Sequence, residues 1–249
     1  METSRLLACL SDDYIRLRDI AAKDLTASVP SCPGWDVTDL VRHVAEVYLH
    51  KTAAMREQRP PAPWPPDLDS EEPIPLLDRS YAELTAELSK REPDSPAWTW
   101  HKPDQTVRFW IRRMAQETVI HRVDAKLALG EASAPIPDDL AVDGIDEVLR
   151  LFLEYGSQTW REYLGDELTD WGDRSVLIST DGGRWRVTVR PAGAVLISDD
   201  ARVASASVRG APVPLLLWLW NRGGAADVIV DGDRDLVDHL RRLLVMVTQ

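Results

Sequence analysis

Apolar positions recur at helical spacing through the first half of the chain. Over 3–27, Leu6, Leu10, Ile15, Leu17 and Ile20 stand among charged residues and predict a first helix. The stretch Val29-Pro30-Ser31-Cys32-Pro33-Gly34-Trp35 is turn-rich and stops it. Asp36 or Thr38 then caps a second helix reaching about Gln58, with Leu40, Val44, Val47 and Leu49 apolar. Seven prolines within 59–75 exclude a helix or a central strand and predict a loop or stiff connection. Leu76, Leu77, Tyr81, Leu84 and Leu88 predict a third helix over 76–91. An irregular loop carrying Trp98 and Trp100 follows. A fourth helix fits 106–129 and stops at Gly130, a C′ glycine. Four helices joined by long loops predict a four-helix bundle.

Beyond Pro135-Ile136-Pro137 the pattern predicts a fifth helix over 138–163 and then shifts to a period of two. SVLIST (175–180), a turn at Asp181-Gly182-Gly183, and RWRVTVR (184–190) read as a hairpin, with Trp185, Val187 and Val189 inward and Arg184, Arg186, Thr188 and Arg190 outward. Strands are expected at 194–199, 204–210 and 227–232, and helices at 212–221 and 233–246. The fold class is therefore α+β in two domains, a helical bundle over 1–133 and an α+β domain with a small, mostly antiparallel sheet over 134–249.

Composition narrows the function more than the fold. A chain of 249 residues with a formal charge of −12 lacks the basic stripe of a nucleic-acid binder. The opening METSRLLACL has no basic segment ahead of a long apolar core, and LLLWLW (215–220) is too short to span a bilayer. Cys9 and Cys32 form no C-x-x-C pair and make no disulfide framework. The expectation is a cytoplasmic, monomeric protein that contacts neither nucleic acid nor membrane.

The candidate chemistry lies on the predicted bundle. Glu117 and His121 are four apart on the fourth helix and share one face. A buried carboxylate beside an imidazole needs a partner, and a cation is one. In E-x-x-x-H the carboxylate is a ligand, whereas in H-E-x-x-H it is a general base. Taken alone, such a pair is more often an ordinary helix-surface pair. His43 lies among Val41, Val44 and Val47 on the second helix, with Glu46 one turn away as a hydrogen-bond acceptor that orients it. A His₂Glu set leaves a fourth position open, the catalytic arrangement for zinc. Cys32 reads as a small packing residue in its turn, and Trp35 as a hydrophobic staple for the second helix.

Two segments supply a resemblance. VPSCPGWDVTDLVRHVAEV (29–47) and AWTWHKPDQTVRFWIRRMAQETVIHRVDAKLALG (97–130) resemble the two motifs of the mycothiol-dependent maleylpyruvate isomerase family. ASASVRGAPVPLLLWLWNRG (204–223) and VIVDGDRDLVDHLRRLL (228–244) resemble its second domain. The resemblance implies a DinB-like bundle whose divalent metal, zinc by expectation, is held by His43, Glu117 and His121. It also implies a sterol-carrier-like C-terminal domain and mycothiol as the thiol cosubstrate, used in isomerisation or S-transfer on a small electrophile. A DinB-like zinc hydrolase and a non-enzymatic metal- or ligand-binding protein are the alternatives. Where the family often has a histidine five residues after His43 this chain has Tyr48, and where an aromatic is common it has His50, so both become candidates for contact with thiol or substrate. Arg222 is the candidate carboxylate-binding catalytic residue, with Arg112 and Arg113 as alternatives.

Overall fold

A computed structural model describes residues 1–131, 135–190, 193–200 and 202–248. The chain divides into two compact units, Met1–Pro135 and Ile136–Gln249. The expected domain boundary at 133/134 lies outside the described residues.

The first unit is built on four helices, α1 (Thr3–Ala21), α2 (Val37–Glu57), α3 (Pro73–Ser89) and α4 (Val107–Ala128). Helix α1 packs mainly on α4, and α2 packs on both α3 and α4. Its buried stripe runs Leu6, Leu10, Asp13, Leu17, Ile20, which leaves Ile15 off the stripe and exposed, against expectation. The helix ends six residues short of the expected 27. There Asp24 accepts from the backbone and hydroxyl of Thr26, and Leu25 and Ala27 present their carbonyls to the start of α2. Asp36 caps α2 through a reciprocal capping box with Asp39, at 3.0 Å each way. Pro73 occupies the first turn of α3, where no N–H is required, so the helix starts inside the proline-rich stretch. Helix α4 closes in a Schellman motif. Gly130, at φ +64°, donates to Leu127, and Glu131 to Lys126.

The second unit opens with α5 (Asp138–Glu147), which continues as a π-helical stretch over Val148–Tyr155 and then as α6 (Gly156–Thr159). Trp160 leaves helical geometry at φ −123°, ψ 42° before the short α7 (Arg161–Leu164). The single expected helix over 138–163 is thus widened at its middle and broken near its end. Five strands follow, β1 (Val176–Thr180), β2 (Gly183–Arg190), β3 (Ala194–Ser198), β4 (Ala206–Arg209) and β5 (Ile229–Gly232), with α8 (Pro212–Leu219) between β4 and β5 and α9 (Arg234–Thr248) at the end. They form one sheet in the order β3-β2-β1-β4-β5, parallel only between β1 and β4. Gly182, at φ +95°, turns the β1–β2 hairpin.

Alternation in β2 breaks at one position. Arg186, expected outward, is buried, donating to the Ser175 hydroxyl and to the carbonyls of Arg202 and Asp200. No helix among the described residues is long and apolar enough to cross a membrane.

Candidate metal centre

Helices α2 and α4 run antiparallel along a shared seam. His43 faces His121 with ring centroids 5.0 Å apart. Further along, the Tyr48 hydroxyl lies 2.6 Å from that of Thr118. This pairing follows from apolar packing on both helices, Val41, Val44 and Ala45 on one and Met114, Ala115 and Val119 on the other, all fully buried. It brings together the three residues expected as ligands.

Glu117 Oε1 lies 3.3 Å from His43 Nε2 and 3.1 Å from His121 Nε2. One potential ligand atom from each residue falls within 4.8 Å of the others. Donor atoms bound to one tetrahedral zinc at about 2.0–2.1 Å stand about 3.3 Å apart, so the spacing about Glu117 fits a single cation. Burial is uneven, with side-chain exposures of 37% for His43, 15% for Glu117 and 11% for His121.

The remaining atoms of the candidate ligands are held from behind. Asp124 Oδ2 lies 2.9 Å from His121 Nδ1, where it can accept the Nδ1 hydrogen and leave Nε2 as the candidate ligand atom. Asp124 is fully buried and also accepts from the Ser31 hydroxyl at 2.6 Å, with Cys32 Sγ 3.9 Å away. The turn before α2 is therefore tied to the same carboxylate that orients His121. Glu117 Oε2 accepts from Arg113 one turn back, which leaves Oε1 toward the histidines.

Burial by itself would push the Glu117 carboxyl up, but the charges of His121 and Arg113 hold it well below the usual carboxylate range. Burial pushes His121 the other way, yet the Glu117 charge and the Asp124 hydrogen bond raise it to about 9. The raised His121 reports the negative charge of Glu117 and Asp124, and the lowered Glu117 reports the positive charge of His121 and Arg113, which keeps its carboxylate ionised as a metal ligand must be.

Other expected residues fall in different places. Tyr48 is fully buried, and its hydroxyl is taken by Thr118, which itself donates to the Met114 carbonyl. It belongs to the packed core and presents no surface to a ligand. His50 sits with its ring 5.0 Å from that of Trp64 and its Nδ1 3.3 Å from the Lys51 ammonium. Glu46 makes no hydrogen bond to His43 among the described residues. The Trp35 ring, expected as a staple, stands 5.0 Å from the His43 ring. Arg222 lies in the second unit, donating to the Trp220 carbonyl at 2.7 Å. Arg113 does bind a carboxylate, that of Glu117. Asp124 carries no assigned role in the sequence reading. Its signal is the H-x-x-D spacing from His121, one turn on the same helix face.

Residues 10–126 match the mycothiol maleylpyruvate isomerase N-terminal domain family, and residues 139–239 match the MDMPI C-terminal domain family. Among solved structures, the mycothiol-dependent maleylpyruvate isomerase superposes with a TM-score of 0.62 at 14% identity, covering 93% of each chain. A histidine-to-alanine mutant of that isomerase superposes with a TM-score of 0.64 at 13% identity, again over 93% of each chain. At these identities the likeness is one of fold. No curated protein matches the chain by sequence.

Proposed function

We propose, from the premise that the chain belongs to the mycothiol-dependent maleylpyruvate isomerase family over both matched segments, that it is a metal-dependent thiol enzyme. Its reaction is isomerisation or S-transfer on a small electrophile, with mycothiol as the thiol and zinc as the metal. The observation that carries this reading is the His43–Glu117–His121 cluster, three candidate ligands converging with no fourth His, Cys, Asp or Glu in the group among the described residues. A divalent cation held there supplies the Lewis acidity that keeps a thiol ionised near neutral pH.

The chain's own residues do the rest. Asp124 fixes the tautomer and rotation of His121, Arg113 turns one Glu117 oxygen inward, and Trp35 covers one side of His43. The half-exposed edge of His43 leaves a way in for a ligand. We read the first unit as the DinB-like metal-binding domain and the second as the sterol-carrier-like domain.

The test is metal analysis of protein prepared without a histidine tag, followed by turnover with and without a low-molecular-weight thiol. Wild type is expected to hold about one zinc per chain and His121→Ala far less. Equal, low zinc in both proteins sinks the site. Turnover that proceeds without thiol points instead to a hydrolase using metal-bound water.

A further inference from the structure

The second unit holds a cavity of about 550 Å³, bordered by α9, the start of β5 and the turn that follows α8. That is room for a small organic molecule. Trp218, Val228 and Val237, all buried, give it an apolar wall. Arg234, Asp238 and Arg241 line it from α9. Arg234 and Arg241 are two helical turns apart, so they share one face with about 10 Å of rise between them. Asp238 stands between them on that face. The Arg241 guanidinium carbon lies 4.7 Å from the centre of the Trp218 ring.

Three other arginines around α9 and β5 meet carboxylates. Arg242 donates to Glu167, Arg209 faces Asp231, and Arg174 faces Asp233. The two that line the cavity differ. Among the described residues, neither Arg234 nor Arg241 makes an ion pair or a hydrogen bond through its side chain. Arg234 is exposed and Arg241 half-buried. The indole attracts the Arg241 charge but accepts none of its five N–H donors, which stay available to an oxyanion. Two arginines against one aspartate leave the lining one positive charge in excess, on a chain whose formal charge is −12. A monoanion balances that excess. A dianion overshoots it and meets Asp238.

We propose that this cavity binds a small organic monoanion with an apolar body, its oxyanion on Arg241, Arg234 adding charge along the same face, and its body against Val228 and Val237. The planar arginine fork suits a carboxylate, and covering the valines adds affinity that a bare ion lacks. Every lining residue belongs to the second unit and none is a candidate metal ligand, so the site does not depend on the proposed function.

The test is calorimetric titration of the full chain with 2-naphthoate, its neutral counterpart 2-naphthalenemethanol, and inorganic phosphate. Wild type should prefer naphthoate over the alcohol about tenfold, as a hydrogen bond to a charged group implies. Arg241→Gln should remove that preference, and Asp238→Asn should strengthen it by about threefold, since a nearby negative charge is gone. If Arg241→Gln does not fold, charge reversal at the exposed Arg234→Glu decides, and it should cut the preference in the same direction. No preference in wild type, or an unchanged one in folded Arg241→Gln or in Arg234→Glu, overturns the site. Phosphate should bind about tenfold more weakly than naphthoate, and equal affinity overturns the apolar half of the proposal. The preference should persist in His121→Ala. If it vanishes there, naphthoate occupies the metal centre and the cavity is not its site.

Discussion

At the scale of single residues, the atoms behind the candidate ligands matter as much as the candidate ligands themselves. Asp124 has one oxygen on His121 and the other on Ser31, with no exposure to water. Asp124→Asn keeps the shape but offers an amide where an anion was, so His121 loses the acceptor that fixes its tautomer. Zinc affinity is expected to fall by about 10–100-fold, read by competition with a chromophoric chelator. An unchanged affinity would show that His121 is oriented by packing alone. Much of this site was legible in the sequence and some was not. His43, Glu117 and His121 are recognisable by spacing and resemblance. Asp124 is one of many acids one turn from a histidine, and only packing against Ser31 singles it out. Arg186 reads as the polar half of an alternating strand until Ser175 and two carbonyls are seen to surround it.

At the scale of elements, helices with a continuous apolar stripe fall close to where the pattern places them. Those whose ends depend on side-chain detail do not. Helix α1 stops early because Asp24 and Thr26 form a local turn, and α3 starts early because proline suits a first turn. The widening over Val148–Tyr155 leaves no mark in a pattern of apolar positions. The start of α2 carries more weight, since His43 is in its second turn and the capping box is what begins the helix. Asp36→Ala should cost about 1 kcal/mol in a urea titration. A loss well under half of that would mean the Ser28–Asp36 bridge and the carbonyls of Leu25 and Ala27 hold the turn without the cap.

At the scale of the whole molecule, the candidate chemistry is concentrated in the first of two units. Removing the metal should therefore loosen one part of the chain selectively. Chelation is expected to speed amide exchange in α2 and α4, the two helices that carry the candidate ligands, and to leave β1–β3 unchanged. Equal acceleration in both would show that the units share one unfolding event. The uneven burial of the three candidate ligands has a kinetic consequence as well. An ion held by two sheltered side chains and one half-exposed imidazole has a single weak tether. It would be exchanged by an incoming ligand displacing His43 first, so its lifetime depends on the surrounding concentration of competing thiols and chelators, and tight binding at equilibrium can coexist with rapid turnover of the metal.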